Sequence, residues 1–134
     1  MIEKIVLRYL SLKSFSSFEL KKKLTRRGFA SQEIEDVIAK YIQRGFINDG
    51  ELAERRMELY KRKGYGPRWI AAKLKTQGLK SPPYVWDEQR SVIQAVLQTP
   101  TFIKKERNKQ IAALERRGFD LDVIFHVVRP THSY

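Results

Sequence analysis

Apolar residues recur at three- and four-residue spacing along almost the whole chain. No run alternates polar and apolar positions long enough to predict a strand. Ile2, Ile5, Val6, Tyr9 and Leu10 make a first helical stripe. Ser16-Ser17-Phe18-Glu19 has capping-box spacing and leads into Leu20 and Leu24, with Gly28 as the stop. Ser31 opens a helix carrying Ile34, Val37, Ile38, Tyr41 and Ile42 on one face and ending near Gly45. Asn48 with Glu51 predicts another cap, for a helix running to Gly64. Pro67 suits a first helical turn, Ile70 and Leu74 follow, and Gly78 closes. Ser81-Pro82 is expected to start a helix reaching Leu97. Thr99-Pro100 is expected to start another, ending at Gly118, and Leu121 to Val128 forms the last.

The helical pattern repeats. Leu24-x-x-x-Gly28-Phe29, Leu74-x-x-x-Gly78-Leu79 and Leu114-x-x-x-Gly118-Phe119 share one form at irregular offsets. Ile34, Val37 and Ile38 follow Gly28 at the offsets where Ile124, Val127 and Val128 follow Gly118. The copy after Gly78 has Tyr84, Asp87 and Glu88 there and must pack differently. Each unit reads as helix, left-handed glycine, apolar pin, helix. Such a unit is too small to bury its own apolar face and must stack on neighbours. The expected fold is all-α: an elongated stack of tandem three-helix repeats with about eight helices. Its expected divisions are an N-terminal helix (1–15), a first repeat (16–63), a trimmed second repeat (64–99) and a third repeat (100–134).

Composition sharpens this picture. The 134 residues include 27 Lys+Arg against 15 Asp+Glu, a formal charge of +12. Such a balance draws a protein toward polyanions and says little about its fold. The charge is blocked: residues 1–30 hold eight bases against two acids, and 55–80 hold nine against one. Between them, 31–54 hold two bases against six acids. With no cysteine there is no disulfide framework, thiol nucleophile or Cys-ligated metal, which fits a reducing compartment. Glu3, Lys4 and Arg8 interrupt the apolar run that a signal peptide would need, and no stretch is apolar enough to span a membrane. The expectation is a soluble, cytoplasmic, monomeric protein without cofactor or metal.

The segments Phe18-Glu19-Leu20 with Leu24 and Gly28, GFINDGELAERR (45–56), KGYGPRWIAAKLKTQGL (63–79) and IAALERRGFDLDVI (111–124) together resemble the bacterial RecX family, regulators of the recombinase RecA. The middle two are the most specific. The resemblance covers nearly the whole chain and is weakest across 80–104. It implies tandem three-helix repeats and a non-enzymatic protein that lodges in the groove of the RecA–single-stranded DNA filament and bridges protomers. It implies suppression of strand exchange, ATP hydrolysis and filament growth, within homologous recombination, DNA repair and the SOS response. Double-stranded DNA is a further candidate partner.

Candidate contact residues come from charges left unanswered within their own helices. Lys21, Lys22, Lys23, Arg26 and Arg27 crowd like charges at i,i+4, each pair costing about 0.2–0.5 kcal/mol. Arg68, Lys73 and Lys75 have no helix-local acid, and with Lys61 and Lys63 they form the densest uncompensated block. Lys104, Lys105 and Lys109 follow with Arg107, and Arg116-Arg117 repeats the position of Arg26-Arg27. Glu51 with Arg55 and Glu58 with Arg62 are spaced to pair within one helix, so those arginines read as structural, while Arg56 stays open. Tyr65, Trp69, Tyr84 and Trp86 interleave with bases as stacking platforms do, though small cores also need large rings. Tyr65, between two glycines, is the ring expected to be exposed. The acidic clusters fall in first helical turns, where the macrodipole explains them without a cation. His126 and His132 stand alone, and no catalytic constellation appears. The rival readings are a stand-alone, helix-turn-helix-like DNA-binding protein and a protein-interaction repeat with incidental charge.

Overall fold

In a computed structural model that describes residues 1–129, the stripes become nine helices. They are α1 (Ile2–Leu12), α2 (Ser17–Arg26), α3 (Ser31–Gln43), α4 (Asp49–Arg62), α5 (Pro67–Thr76), α6 (Trp86–Leu97), α7 (Pro100–Ile103), α8 (Arg107–Arg116) and α9 (Leu121–Val127). The described residues contain no strand. Both expected caps form. Ser16 Oγ accepts from the Glu19 N–H at 3.0 Å while the Glu19 carboxylate accepts from the Ser16 N–H at 2.8 Å, and Asn48 Oδ1 accepts from the Glu51 N–H at 3.1 Å.

Two helix boundaries differ from expectation. The helix expected from Ser81-Pro82 begins only at Trp86, because each of the tandem prolines disfavours helical backbone in the residue before it. The helix expected from Pro100 to Gly118 breaks at residues 104–106, which raises the count from eight to nine. The break lets buried Phe102 join the core, and the Phe102 carbonyl accepts from the Lys105 N–H at 3.0 Å and from Gln110 Nε2 at 2.9 Å.

The Leu-x3-Gly units are helix stops of one design. After α2, Gly28 takes φ +89°; its N–H bonds the Thr25 carbonyl, and the Phe29 N–H reaches back to Leu24 O at 3.3 Å. This is the Schellman arrangement, in which the glycine occupies a left-handed conformation that a β-carbon disfavours. The same two bonds recur at Gly78 with Leu79 and at Gly118 with Phe119. Each motif leaves its leucine fully buried and turns the next segment back across it: Leu24, Leu74 and Leu114 are all 0% exposed.

The buried side chains gather in three small clusters. Val6, Leu20, Leu24, Ile34 and Ile38 join α1 to α3. Leu52, Met57, Tyr60, Ile70 and Leu74 join α4 to α5, with Leu79 beneath. Ile93, Phe102, Leu114, Phe119 and Ile124 join α6 to α9. The accessible surface is 8957 Å². A compact monomer of this mass would expose about 7,300 Å², so the excess is that of a drawn-out body.

Between clusters the joints are largely polar or made by the main chain, with Phe18 against Gly78 at the first and Tyr84 packed on both clusters at the second. At the first joint, Arg56 on α4 reaches α2 and α5 together. Its guanidinium donates to both Glu19 carboxylate oxygens at 3.0 and 3.1 Å, to Gln77 Oε1 at 2.9 Å and to the Ser14 carbonyl at 3.1 Å. Ser16 Oγ donates to Gln77 O at 2.6 Å, and the Ser17 N–H donates to Asp49 at 2.8 Å. Arg56, open in the sequence, is thus the hub of the joint.

At the second joint two main-chain bonds act as a clasp. The Gly66 N–H donates to Arg117 O at 2.8 Å and the Arg68 N–H to Gly118 O at 3.0 Å. The backbones approach so closely that a β-carbon on Gly66 would lie 2.5 Å from the Phe119 nitrogen, and one on Gly118 would lie 2.4 Å from the Trp69 nitrogen. The strap of residues 80–85 runs beside this clasp, and Tyr84 Oη donates to Tyr65 O at 3.3 Å.

Two outcomes follow for stability. Gly66→Ala must push two backbones apart, so the urea midpoint should fall by the equivalent of about 1–3 kcal/mol, the usual scale of overpacking. A circular-dichroism titration against Gly50→Ala, where the β-carbon meets nothing nearer than 3.7 Å, checks this. The second concerns pH. Burial alone would push the Glu19 carboxyl up, but hydrogen bonds from Arg56 and Ser16, with the Arg56 charge, hold it below the ordinary 4.5. A depressed folded-state pKa contributes stability that is complete above the unfolded value and is lost as pH falls through the folded one. Wild type should therefore lose more melting temperature than Glu19→Gln when pH drops from 7 to below about 4, a range set by the ordinary carboxylate values.

Candidate nucleic-acid interface

The expected contact residues do not behave alike once helices are in place. In α2, buried Leu20 and Leu24 fix the inward face, so helical rotation sends Lys22 and Arg26 directly outward. Lys23 and Arg27 fall on the flank against α1. There Lys23 Nζ stands 5.0 Å from the Tyr9 ring centre, and Arg27 Nη1 donates to Tyr9 Oη at 3.4 Å. Lys21 takes the opposite flank and is exposed.

In α5, Ile70 and Leu74 face inward. Arg68 and Lys75 are two turns apart and about 20° apart around the axis, so they share one flank, while Lys73 lies on the other. The three do not form a single face. Arg68 is also partly engaged: its guanidinium donates to Glu115 O at 3.3 Å and lies 3.8 Å from the Asp120 carboxylate. In α8, Lys109 and Arg116 are again two turns apart, outward from buried Leu114. Lys104 is exposed, and Lys105 is half-buried with its ammonium 5.9 Å from the Phe102 ring centre.

The paired arginines divide their roles. Arg26 and Arg116 point away from the body, whereas their neighbours turn back into it. Arg117 donates to the Lys63 and Gly64 carbonyls at 3.2 Å each, with its guanidinium 5.1 Å from the Phe102 ring centre. The equivalent position in α5 is Gln77, which serves the Arg56 hub and accepts no external role; it donates to Tyr60 Oη at 2.9 Å. The residue three past each motif leucine therefore joins its helix to a neighbour: Arg27, Gln77 and Arg117 all do so.

Lys61 is a correction. It was expected to be uncompensated, but its side chain is only 10% exposed and its ammonium bonds Glu88 at 2.6 Å and Glu58 at 3.3 Å. Glu88 comes from α6, so sequence spacing could not reveal it. Glu58 turns to Lys61, and neither Glu58–Arg62 nor Glu51–Arg55 closes to an ion pair among the described residues. Arg55 and Arg62, read as structural, are exposed instead, as is Lys63. Exposed helical pairs of that kind are weak enough for a better-placed partner to win.

Tyr65 is a second correction. One face of the ring lies flat on Trp69 at 3.6 Å between centres, with the Arg117 guanidinium 5.7 Å away. Trp69 in turn meets Tyr60 edge-on. Trp86 is the more open ring, with His126 against it at 4.8 Å. His132 lies outside the described residues. Among the described residues, no cluster of three or more His, Asp or Glu side chains is arranged to hold a metal ion, and no helix is long and apolar enough to cross a membrane.

The site that remains is a set of outward cations on the three helices ending in Leu-x3-Gly, carried on an extended body. Comparison with known proteins agrees with that body plan. A sequence model for the first three-helix domain of RecX matches residues 4–40, spanning α1, α2 and most of α3. The chain is 31% identical over 122 residues to the regulatory protein RecX of Stenotrophomonas maltophilia, covering 83% of this chain and 75% of the relative. It is 27% identical over 138 residues to the regulatory protein RecX of Legionella pneumophila, covering 95% and 92%. The crystal structure of RecX from Lactobacillus salivarius superposes with a TM-score of 0.78 at 22% identity, over 93% of this chain and 90% of that one.

Proposed function

The chain belongs to the RecX family, and from that membership we propose that it is an inhibitor of the recombinase RecA, acting as a cytoplasmic monomer on the RecA–single-stranded DNA filament. The observation that carries this reading is the recurrence, on α2, α5 and α8, of outward cations that form no ion pair among the described residues: Lys22 (its ammonium 5.6 Å from the Phe18 ring centre on its own helix) and Arg26, then Lys75, then Lys109 and Arg116. Lys21, Lys63, Lys73 and Lys104 add to the field. Lys23, Arg27, Arg68 and Lys105 contribute from engaged positions, while Lys61 and Arg117 support the scaffold.

Each cation that meets a phosphate releases a counterion, so several weak contacts add along the body. A stack seated along the filament groove holds neighbouring protomers at one spacing. That opposes the rearrangements that ATP turnover, strand exchange and filament growth require. The repeats 16–63, 64–99 and 100–134 are the proposed periodic units of this contact, by recurrence of sequence rather than by core.

Titrating the protein into RecA on single-stranded DNA should suppress ATP hydrolysis at protein stoichiometric with or below RecA. Unchanged turnover at saturation would sink the reading, and tight sequence-dependent binding to DNA alone would favour the stand-alone reader. The affinity for bare single strands should fall with salt at a slope of about −3 to −4 on a log–log plot, for five outward cations at about −0.7 each.

Charge reversal tests the surface. Lys22→Glu, Lys75→Glu and Lys109→Glu together should raise the concentration needed for half-suppression by tenfold or more. Lys4→Glu, Arg8→Glu and Arg55→Glu, all at exposed positions away from the cationic set, change net charge equally and should raise it less than threefold. Equal losses from both sets would show that net charge acts without regard to position.

A further inference from the structure

A groove of about 910 Å³ lies between the end of α4 and the length of α6, sharing only Lys63 with the exposed cationic field. Its walls are fixed. Lys61 bonds Glu58 on its own helix and Glu88 across the groove, and its ammonium lies 4.7 Å from the Tyr84 ring centre. At the far end, a β-carbon on Gly64 would lie 2.8 Å from both Val96 Cγ2 and Arg117 Nη1, so α4 and α6 close there without room to spare.

The lining changes character along α6. At one end stand Glu58 and Glu88, which bond Lys61, and Asp87, 3.8 Å from Arg90, so three carboxylates face two cations and the end keeps a net acidic charge. Val92, Ala95 and Val96 make the floor. Arg62, Lys63 and Arg117 make the lining basic beside the C-terminus of α4. From Asp87 to Val96 the helix rises about 14 Å. Phosphate backbones fit this poorly, since the acidic end repels them and the floor offers them nothing. A fixed acidic-apolar-basic sequence complements a segment of opposite order, and a preformed site of this kind loses little in ordering its walls.

We propose that this groove binds a bipolar amphipathic segment of a RecA protomer, about 14 Å long, with a basic residue at one end, apolar side chains in the middle and a carboxylate at the other. This rests on the function proposed above and divides the labour: outward cations meet DNA, and the α4–α6 groove meets protein.

The test uses the full chain with Ala95→Arg, which fills the groove from an exposed helical position, and with Asp87→Lys, which reverses the acidic end at a side chain 83% exposed. RecA ATP hydrolysis on single-stranded DNA is measured beside anisotropy of a fluorescent single-stranded oligonucleotide without RecA. Both variants should keep the wild-type circular-dichroism spectrum and bind the oligonucleotide within twofold of wild type. Ala95→Arg should need at least tenfold more protein for half-suppression, and Asp87→Lys at least threefold. Wild-type suppression by both variants overturns the groove and leaves the RecA reading standing, whereas a wild type without effect on RecA overturns both. Parallel losses of DNA affinity and suppression would assign the groove to DNA. A wild-type dimer in sedimentation that Ala95→Arg dissociates would assign it to a second copy of the chain. Either result overturns the proposal.

Discussion

The chain depends on the Leu-x3-Gly stop more than on any single core. A leucine buried on a short helix, a glycine reversing the chain and an apolar residue folding back make a unit with a few large side chains inside. Burying one such side chain stabilises by about 1.5–3 kcal/mol, while ordering each residue costs a similar amount. No one cluster can carry a domain on those terms. The clusters must therefore be joined, and the joints are Arg56 with Glu19 and Gln77 at one end and the Gly66–Gly118 clasp at the other.

The charge distribution follows from the same economy of space. An excess of positive charge destabilises a compact state through self-repulsion. A drawn-out body spreads it, and the repeat gives each module its own outward pair. What the modules need for themselves is taken from the same stock. Arg56, Lys61 and Arg117 are as basic in sequence as Lys75 or Arg116, yet Arg56 and Lys61 donate to carboxylates and Arg117 gives Nη1 to two carbonyls within the molecule.

Much of the fold was legible in the sequence because its signals are local. The capping box at Ser16, the cap at Asn48, the helix stops at Gly28, Gly78 and Gly118 and the apolar stripes all act within one or two turns. The misreading of Lys61 and Tyr65 and the open question at Arg56 have one cause. Lys61 finds Glu88 twenty-seven residues away, Arg56 finds Glu19 thirty-seven away and Tyr65 is covered by packing that brings Trp69 and Arg117 together. Spacing along one helix cannot disclose such partners. The late start of α6 is a different case: Pro82 and Pro83 each disfavour helical backbone in the residue before them, a local signal that outweighs the Ser-Pro start. The groove had no sequence signal, because its two walls are far apart in the chain and share no motif.

The two joints are made of unlike materials. The first rests on an ion pair and side-chain bonds that acid and salt weaken, with a short covalent link beside them. The second rests on main-chain bonds at near contact, doubled by the strap of residues 80–85. Acid or salt therefore acts on the first joint and leaves the bonds of the second in place, so the two ends of the stack answer to different conditions.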